Sequence, residues 1–163
     1  MKIAAFLVAC LALAAPVMAA PLEQDEIDHV KLLKLITLLK IPVRFDSQYC
    51  KDMPKSYGGY RLDGADLSLC SRGDLVERLN TVRHEAWHVY QDLKDCSIAD
   101  DVDLVPVFSD SPMPRAYKEN VAKLYETQYV NTEAEAFWAA DTFDANSIGN
   151  LIYQRAIECS FKF

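Results

Sequence analysis

Apolar residues recur at helical spacing in four stretches of the chain and at alternating spacing in one. Over 22–40, Ile27, Val30, Leu33, Ile36 and further leucines return at helical intervals, and Pro42 ends the run. From 43 to 70 the texture changes. Val43-Arg44-Phe45 alternates, Gly58-Gly59 marks a turn, and Tyr60-Arg61-Leu62 alternates again. Asp63-Gly64 marks another turn, and Asp66 to Cys70 runs in period two, so this stretch predicts a small antiparallel sheet or at least a hairpin. Leu75, Leu79, Val82, Ala86, Val89 and Leu93 restore the helical step over 74–94. Residues 99–116, with Pro106, Pro112 and Pro114 among scattered Asp and Ser, read as a loop. Residues 117–145 read as helix in two pieces meeting near Asn131, and 147–159 as a last helix with Ile148, Leu151, Ile152 and Ile157 inward. Helix, short sheet, helix, loop, helices is the order of an α+β fold.

The first twenty residues follow a different logic. Lys2 precedes an apolar run from Ile3 to Ala15, and Val17 and Ala19 meet the small-residue rule for a signal peptidase. The reading is a signal peptide over 1–19, cut after Ala19, with 20–163 as one domain. A cut after Ala20 would put Pro21 first in the mature chain. The run is shorter than the span of about 20 residues that crosses a membrane. Leu7-Val8-Ala9-Cys10 resembles a lipoprotein box, but its use would leave barely one turn of apolar sequence before the cysteine. No later stretch reaches spanning length without a charge. The expectation is a secreted or periplasmic protein with no stable membrane insertion.

Export changes the meaning of the cysteines. Cys10 leaves with the leader, so Cys50, Cys70, Cys96 and Cys159 form an even set in an oxidising compartment, where disulfides are the default. A zinc cluster is the rival, but the chain has no C-x-x-C spacing. Of the three pairings, Cys50–Cys70 and Cys96–Cys159 are favoured: the first clips a local hairpin, the second ties the C-terminus to the body. Composition adds exclusions. With 51% hydrophobic residues, 25% charged, 5 Gly and 7 Pro in 163, the chain is neither collagen-like, low-complexity nor disordered. A net charge of −7 makes the chain a poor candidate for binding nucleic acid, because phosphate contacts need a basic face, and no nucleic-acid partner is expected.

The chemistry lies in His84-Glu85-Ala86-Trp87-His88, an H-E-x-x-H string set mid-helix by the surrounding periodicity. Residues four apart share a helix face, so both imidazoles can reach one ion. Zinc takes neutral imidazole nitrogen, and a catalytic site keeps three protein ligands and one open position. Glu85, beside that position, can take a proton from zinc-bound water. The chain has three histidines; the remaining one, His29, falls on the charged side of the first helix and reads as a surface residue. A third ligand is sought in Thr132-Glu133-Ala134-Glu135-Ala136, on a helix whose small side chains allow close approach. Thr132 and Glu135 have capping-box spacing, which would use Glu135 at the helix start and free Glu133 for the metal. Glu133 is therefore favoured, with Glu135 the alternative. Tyr125 and Tyr129 are candidate donors to an oxyanion, and Gln91 and Asp92 candidate partners of a ligand imidazole. Trp87, Tyr90, Phe137 and Trp138 read as core more than as a substrate groove.

These residues resemble the gluzincin metallopeptidases, and more closely the mitochondrial intermembrane-space metallopeptidase family that assists ATP-synthase assembly. The shared features are Gly58-Gly59-Tyr60, a short apolar strand ending in Cys (Asp66 to Cys70), His84 to His88, then Cys96, and a distant Glu with Ala three residues on (Glu133, Ala136). The resemblance covers about residues 50–140. It implies a zincin-like fold with the short sheet packed on the active-site helix. It also implies one Zn²⁺ per chain held by His84, His88 and Glu133, and an extended peptide lying along the edge strand Asp66 to Leu69. The leader points to a bacterial-type exported protein, so the family's substrate does not carry over. The function expected is an exported zinc-dependent endopeptidase that hydrolyses protein or peptide bonds with Glu85 as base. The alternative is a non-enzymatic exported binding module with a structural or vestigial zinc site. A zinc amidase or cell-wall hydrolase is a third, weaker reading.

Overall fold

The computed structural model describes residues 23–61, 66–96, 106–107 and 113–160. The leader 1–19, the Asp63-Gly64 turn and most of the 99–116 loop lie outside the described residues. Helix α1 (Gln24–Leu38) starts at a capping box between Glu23 and Glu26. It ends where Lys40 turns left-handed (φ 66°), as Lys40 N–H reaches the Thr37 carbonyl and Ile41 N–H the Ile36 carbonyl. Ile36 and Ile41, both buried, close the end against the core before Pro42. Strand β1 (Val43–Phe45), a short helix α2 (Gln48–Asp52) and strands β2 (Gly58–Arg61) and β3 (Asp66–Leu69) follow. Helix α3 (Leu75–Asp92) runs on into a 3₁₀ turn, and α4 (Arg115–Val121), α5 (Val130–Thr142) and α6 (Ala145–Ser160) complete the order. The α+β class is as expected. The 117–145 stretch is in two pieces, the second starting at Val130 beside Asn131 as expected, but the first already ends at Val121. Among the described residues no helix is long and apolar enough to cross a membrane.

The sheet corrects the antiparallel expectation. Its order is β1-β3-β2, and β3 runs parallel to β1 and antiparallel to β2. The chain leaves β1 through α2 and lays β2 and β3 as a hairpin, whose second strand then docks beside β1 in the same direction. Gly58-Gly59 is also corrected: the pair lies inside β2, not in a turn. Both glycines answer a close approach. A Cβ on Gly59 would stand 2.4 Å from Cζ of Tyr49, and one on Gly58 would stand 2.7 Å from Thr81 Cγ2 and 3.1 Å from Glu85 Cγ. Gly59→Ala is accordingly expected to cost about 1–3 kcal/mol by overpacking against the Tyr49 ring. That loss would be read as a thermal midpoint lower by roughly 2–12 °C; an unchanged midpoint would show that the ring moves aside freely.

Helix α3 is the centre of the molecule. It packs against α1, α5, α6, β2 and β3, and its second half is buried almost all round. Ala134, Ala136, Ala139 and Ala140 on α5 are fully or nearly fully buried, and their small side chains let that helix come close. Trp87 is fully buried, stacked on Phe143 at 5.6 Å, and Trp138 lies edge-on to the same ring, so both tryptophans are core. His29 is a correction: it is buried, not on the surface. Its Nδ1 faces the Asp25 carbonyl at 2.6 Å, and its Nε2 faces the Leu79 carbonyl at 3.1 Å and Arg83 Nη1 at 3.2 Å. The ring bridges α1 to α3, and backbone carbonyls satisfy it where water would on a surface.

Both disulfides form with the favoured pairing, Cys50–Cys70 and Cys96–Cys159. The first staples α2 to the end of β3 rather than clipping a hairpin. The second ties the turn after α3 to the end of α6. Two disulfides fit a protein of an oxidising compartment.

Candidate metal centre

Asp74 caps α3 by accepting the Glu77 N–H at 2.9 Å while the Glu77 carboxylate returns to the Asp74 N–H at 3.0 Å. Three turns on, His84 and His88 project from one face, their rings edge to face with centroids 4.8 Å apart and their Nε2 atoms 3.2 Å apart. From α5, Glu133 brings Oε2 to 3.3 Å from His84 Nε2 and Oε1 to 3.6 Å from His88 Nε2. Tetrahedral ligand bonds of about 2.0–2.2 Å place neighbouring ligand atoms roughly 3.3–3.6 Å apart, which is close to this set of separations. Glu133 Oε2 is buried with no hydrogen-bond partner among the described residues, an acceptor that a cation would satisfy. His84, His88 and Glu133 can therefore hold a metal ion.

The charges fit the same conclusion. Burial alone would raise the Glu133 carboxyl, but the facing His84 and His88 imidazoles outweigh it and hold the group well below the usual carboxylate range. Burial works against a charged His88 ring, yet Glu133 and Glu85 lift it to about 9. Two carboxylates beside these rings call for positive charge at the point where the nitrogens converge.

Glu85 is buried on the same helix, and burial pushes its carboxyl up against the opposing pull of the two histidines. The Tyr60 backbone N–H pulls it down in turn, and a Cβ on Gly58 would stand 3.1 Å from its Cγ, so β2 lies directly beside it. This corrects the expected substrate edge. Asp66 to Leu69 is the central strand and is paired on both sides. The strand lying along α3 at the site is β2. Leu67 N–H reaches the Pro42 carbonyl (3.0 Å) and Cys70 N–H the Tyr57 carbonyl (2.8 Å), so alternate residues of β3 face β1 and β2. In that register Gly58 and Tyr60 turn their backbone groups outward from the sheet. The Gly58 carbonyl accepts from the Tyr49 hydroxyl at 2.9 Å and the Ser56 hydroxyl at 2.5 Å.

Tyr125 arrives at the site. Burial, followed by the charges of Glu133 and Glu85, raises its phenol. Phe137 links the two, with its ring 6.5 Å from Tyr125 and 4.3 Å from His84. Tyr129 does not: it is exposed at the head of α5, where its carbonyl accepts the Glu133 N–H at 2.9 Å. Gln91 meets His88 Nδ1 at 2.7 Å through Oε1, whereas Asp92 accepts from the Tyr60 hydroxyl at 2.5 Å.

Glu135 is not a ligand in this arrangement. It is fully buried, and its Oε2 accepts from Gln91 Nε2 (2.7 Å), the Val107 N–H (2.9 Å) and Trp87 Nε1 (3.3 Å). The capping-box argument for it is corrected, since α5 begins at Val130 with Tyr129 as its cap and Glu135 lies in its second turn, facing inward. Tyr49 and Ser56 are the residues the sequence reading missed. A glycine pair within an alternating stretch was their one signal, because it marks a strand that another group approaches closely. The chain matches no protein-family model, no curated protein and no solved structure.

Proposed function

We propose that the chain is an exported zinc-dependent endopeptidase of the gluzincin kind, with a zincin-like fold, His84, His88 and Glu133 as ligands and Glu85 as general base. The convergence of the two Nε2 atoms and the Glu133 carboxylate, with a buried carboxylate one residue from a ligand, supports this reading. A bound zinc supplies Lewis acidity and an acidified water at neutral pH. Three protein ligands leave a corner free, as a catalytic site requires and a closed structural site does not. Glu85, buried between α3 and β2, takes a proton from the attacking water and returns it to the leaving amine. The Tyr125 hydroxyl donates to the oxygen of the carbonyl under attack. An extended peptide lies along the outer edge of β2, where its N–H takes the place of the Tyr49 and Ser56 hydroxyls on the Gly58 carbonyl.

The test starts with metal. Purified protein is expected to carry about one zinc per chain and to cleave a denatured protein in a chelator-sensitive way. Glu133→Ala is expected to weaken zinc by more than the roughly 10–100-fold that a supporting partner of a ligand is worth. Zinc-loaded protein that leaves a broad peptide library uncut would replace the peptidase reading with that of a binding module.

A further inference from the structure

We infer that Glu135 is a positioning residue that fixes the ring of His88 through Gln91, an inference that rests on the metal reading above. Gln91 Nε2 faces two groups that only accept: the Thr132 carbonyl at 3.2 Å and Glu135 Oε2 at 2.7 Å. Its amide therefore has one orientation, with Oε1 turned to His88 Nδ1 at 2.7 Å. An oxygen there requires Nδ1 to carry the proton, and in the neutral ring that leaves the Nε2 lone pair for the ion. The Glu135 carboxylate anchors this order because it is fully buried and has three N–H donors on one oxygen. A charged acceptor holds such donors more strongly than a neutral one. The relay serves one ligand only: His84 Nδ1 is buried with no hydrogen-bond partner among the described residues.

Two variants test it. Glu135→Leu removes the acceptor, and Glu135→Asp keeps the charge but withdraws it from Gln91 by one methylene. Each is compared with the parent and in a Gln91→Ala background, after thermal unfolding has shown which variants fold. One readout is zinc affinity by chelator competition. The other is the exchange-protected Nδ1–H proton resonance of His88, recorded with and without zinc. Expected are zinc binding weaker by about 10–100-fold, loss of the His88 resonance with no change at His84, and little further loss once Gln91 is alanine. A folded variant with parental zinc affinity and an intact resonance would overturn the assignment. So would a loss of equal size in both backgrounds, since Glu135 would then act on the fold and not through Gln91. If the parent itself takes no zinc, the metal reading fails, while the resonance still decides whether Glu135 orders the ring.

Discussion

Exchanging Glu85 for glutamine is expected to lower chelator-sensitive cleavage by roughly 10²–10⁴-fold while zinc content stays at that of the parent. The substitution keeps the shape of the side chain, so the close packing of Gly58 on its Cγ, and with it the place of β2 against α3, is retained. It removes the one property that matters for proton transfer. His84, His88 and Glu133 retain their arrangement because none of them depends on Glu85 for a hydrogen bond among those described. Measuring kcat/KM beside metal content separates the outcomes. Full activity in the variant would remove Glu85 from the chemistry, and lost zinc would make it part of the metal site instead.

The second large effect is on stability. Replacing both Cys96 and Cys159 by serine is expected to cost about 4 kcal/mol, because that bridge closes 63 residues of sequence. The Cys50–Cys70 bridge closes 20 and is worth about 3 kcal/mol on the same chain-entropy account. For a chain of this size the larger loss lowers the thermal midpoint by roughly 8–16 °C. The end of α6 keeps a second hold, since the Arg155 guanidinium donates to the Leu93 carbonyl at 3.1 Å and also to that of Lys94. Local order there should therefore outlast the bridge, with the loss appearing as a lower midpoint and not as a frayed helix. A smaller shift than that of the Cys50→Ser, Cys70→Ser protein would contradict the loop-length argument.

Much of the scaffold was legible because α1, α3 and α6 each bury a face at a regular interval. The H-E-x-x-H string could be placed mid-helix from Leu79, Val82, Ala86 and Val89 alone. The sheet was less legible. Alternation identifies strands but carries no information on which edge each strand joins, so the parallel pairing of Val43–Phe45 could not be read. Gly58-Gly59 has the composition of a turn, and the close approach of Thr81 and Glu85 to the first and of the Tyr49 ring to the second explains why the pair belongs in a strand. His29 and Glu135 were misread for a common reason. Polar residues were assigned to water or to a cap, whereas here backbone carbonyls satisfy the first and three N–H donors the second. The choice of Glu133 over Glu135 matches the geometry, though the argument used for it does not.

The enclosure of α3 by three helices and two strands also bears on how the molecule breathes. A helix at the periphery can open on its own, but one at the hub belongs to the most cooperative unit and exchanges its amide hydrogens only when everything lets go. The two imidazoles are thus carried by the slowest part of the protein. The carboxylate opposite them rides on α5, the helix that packs most extensively on α3, so the donor triangle is expected to open only with the hub itself.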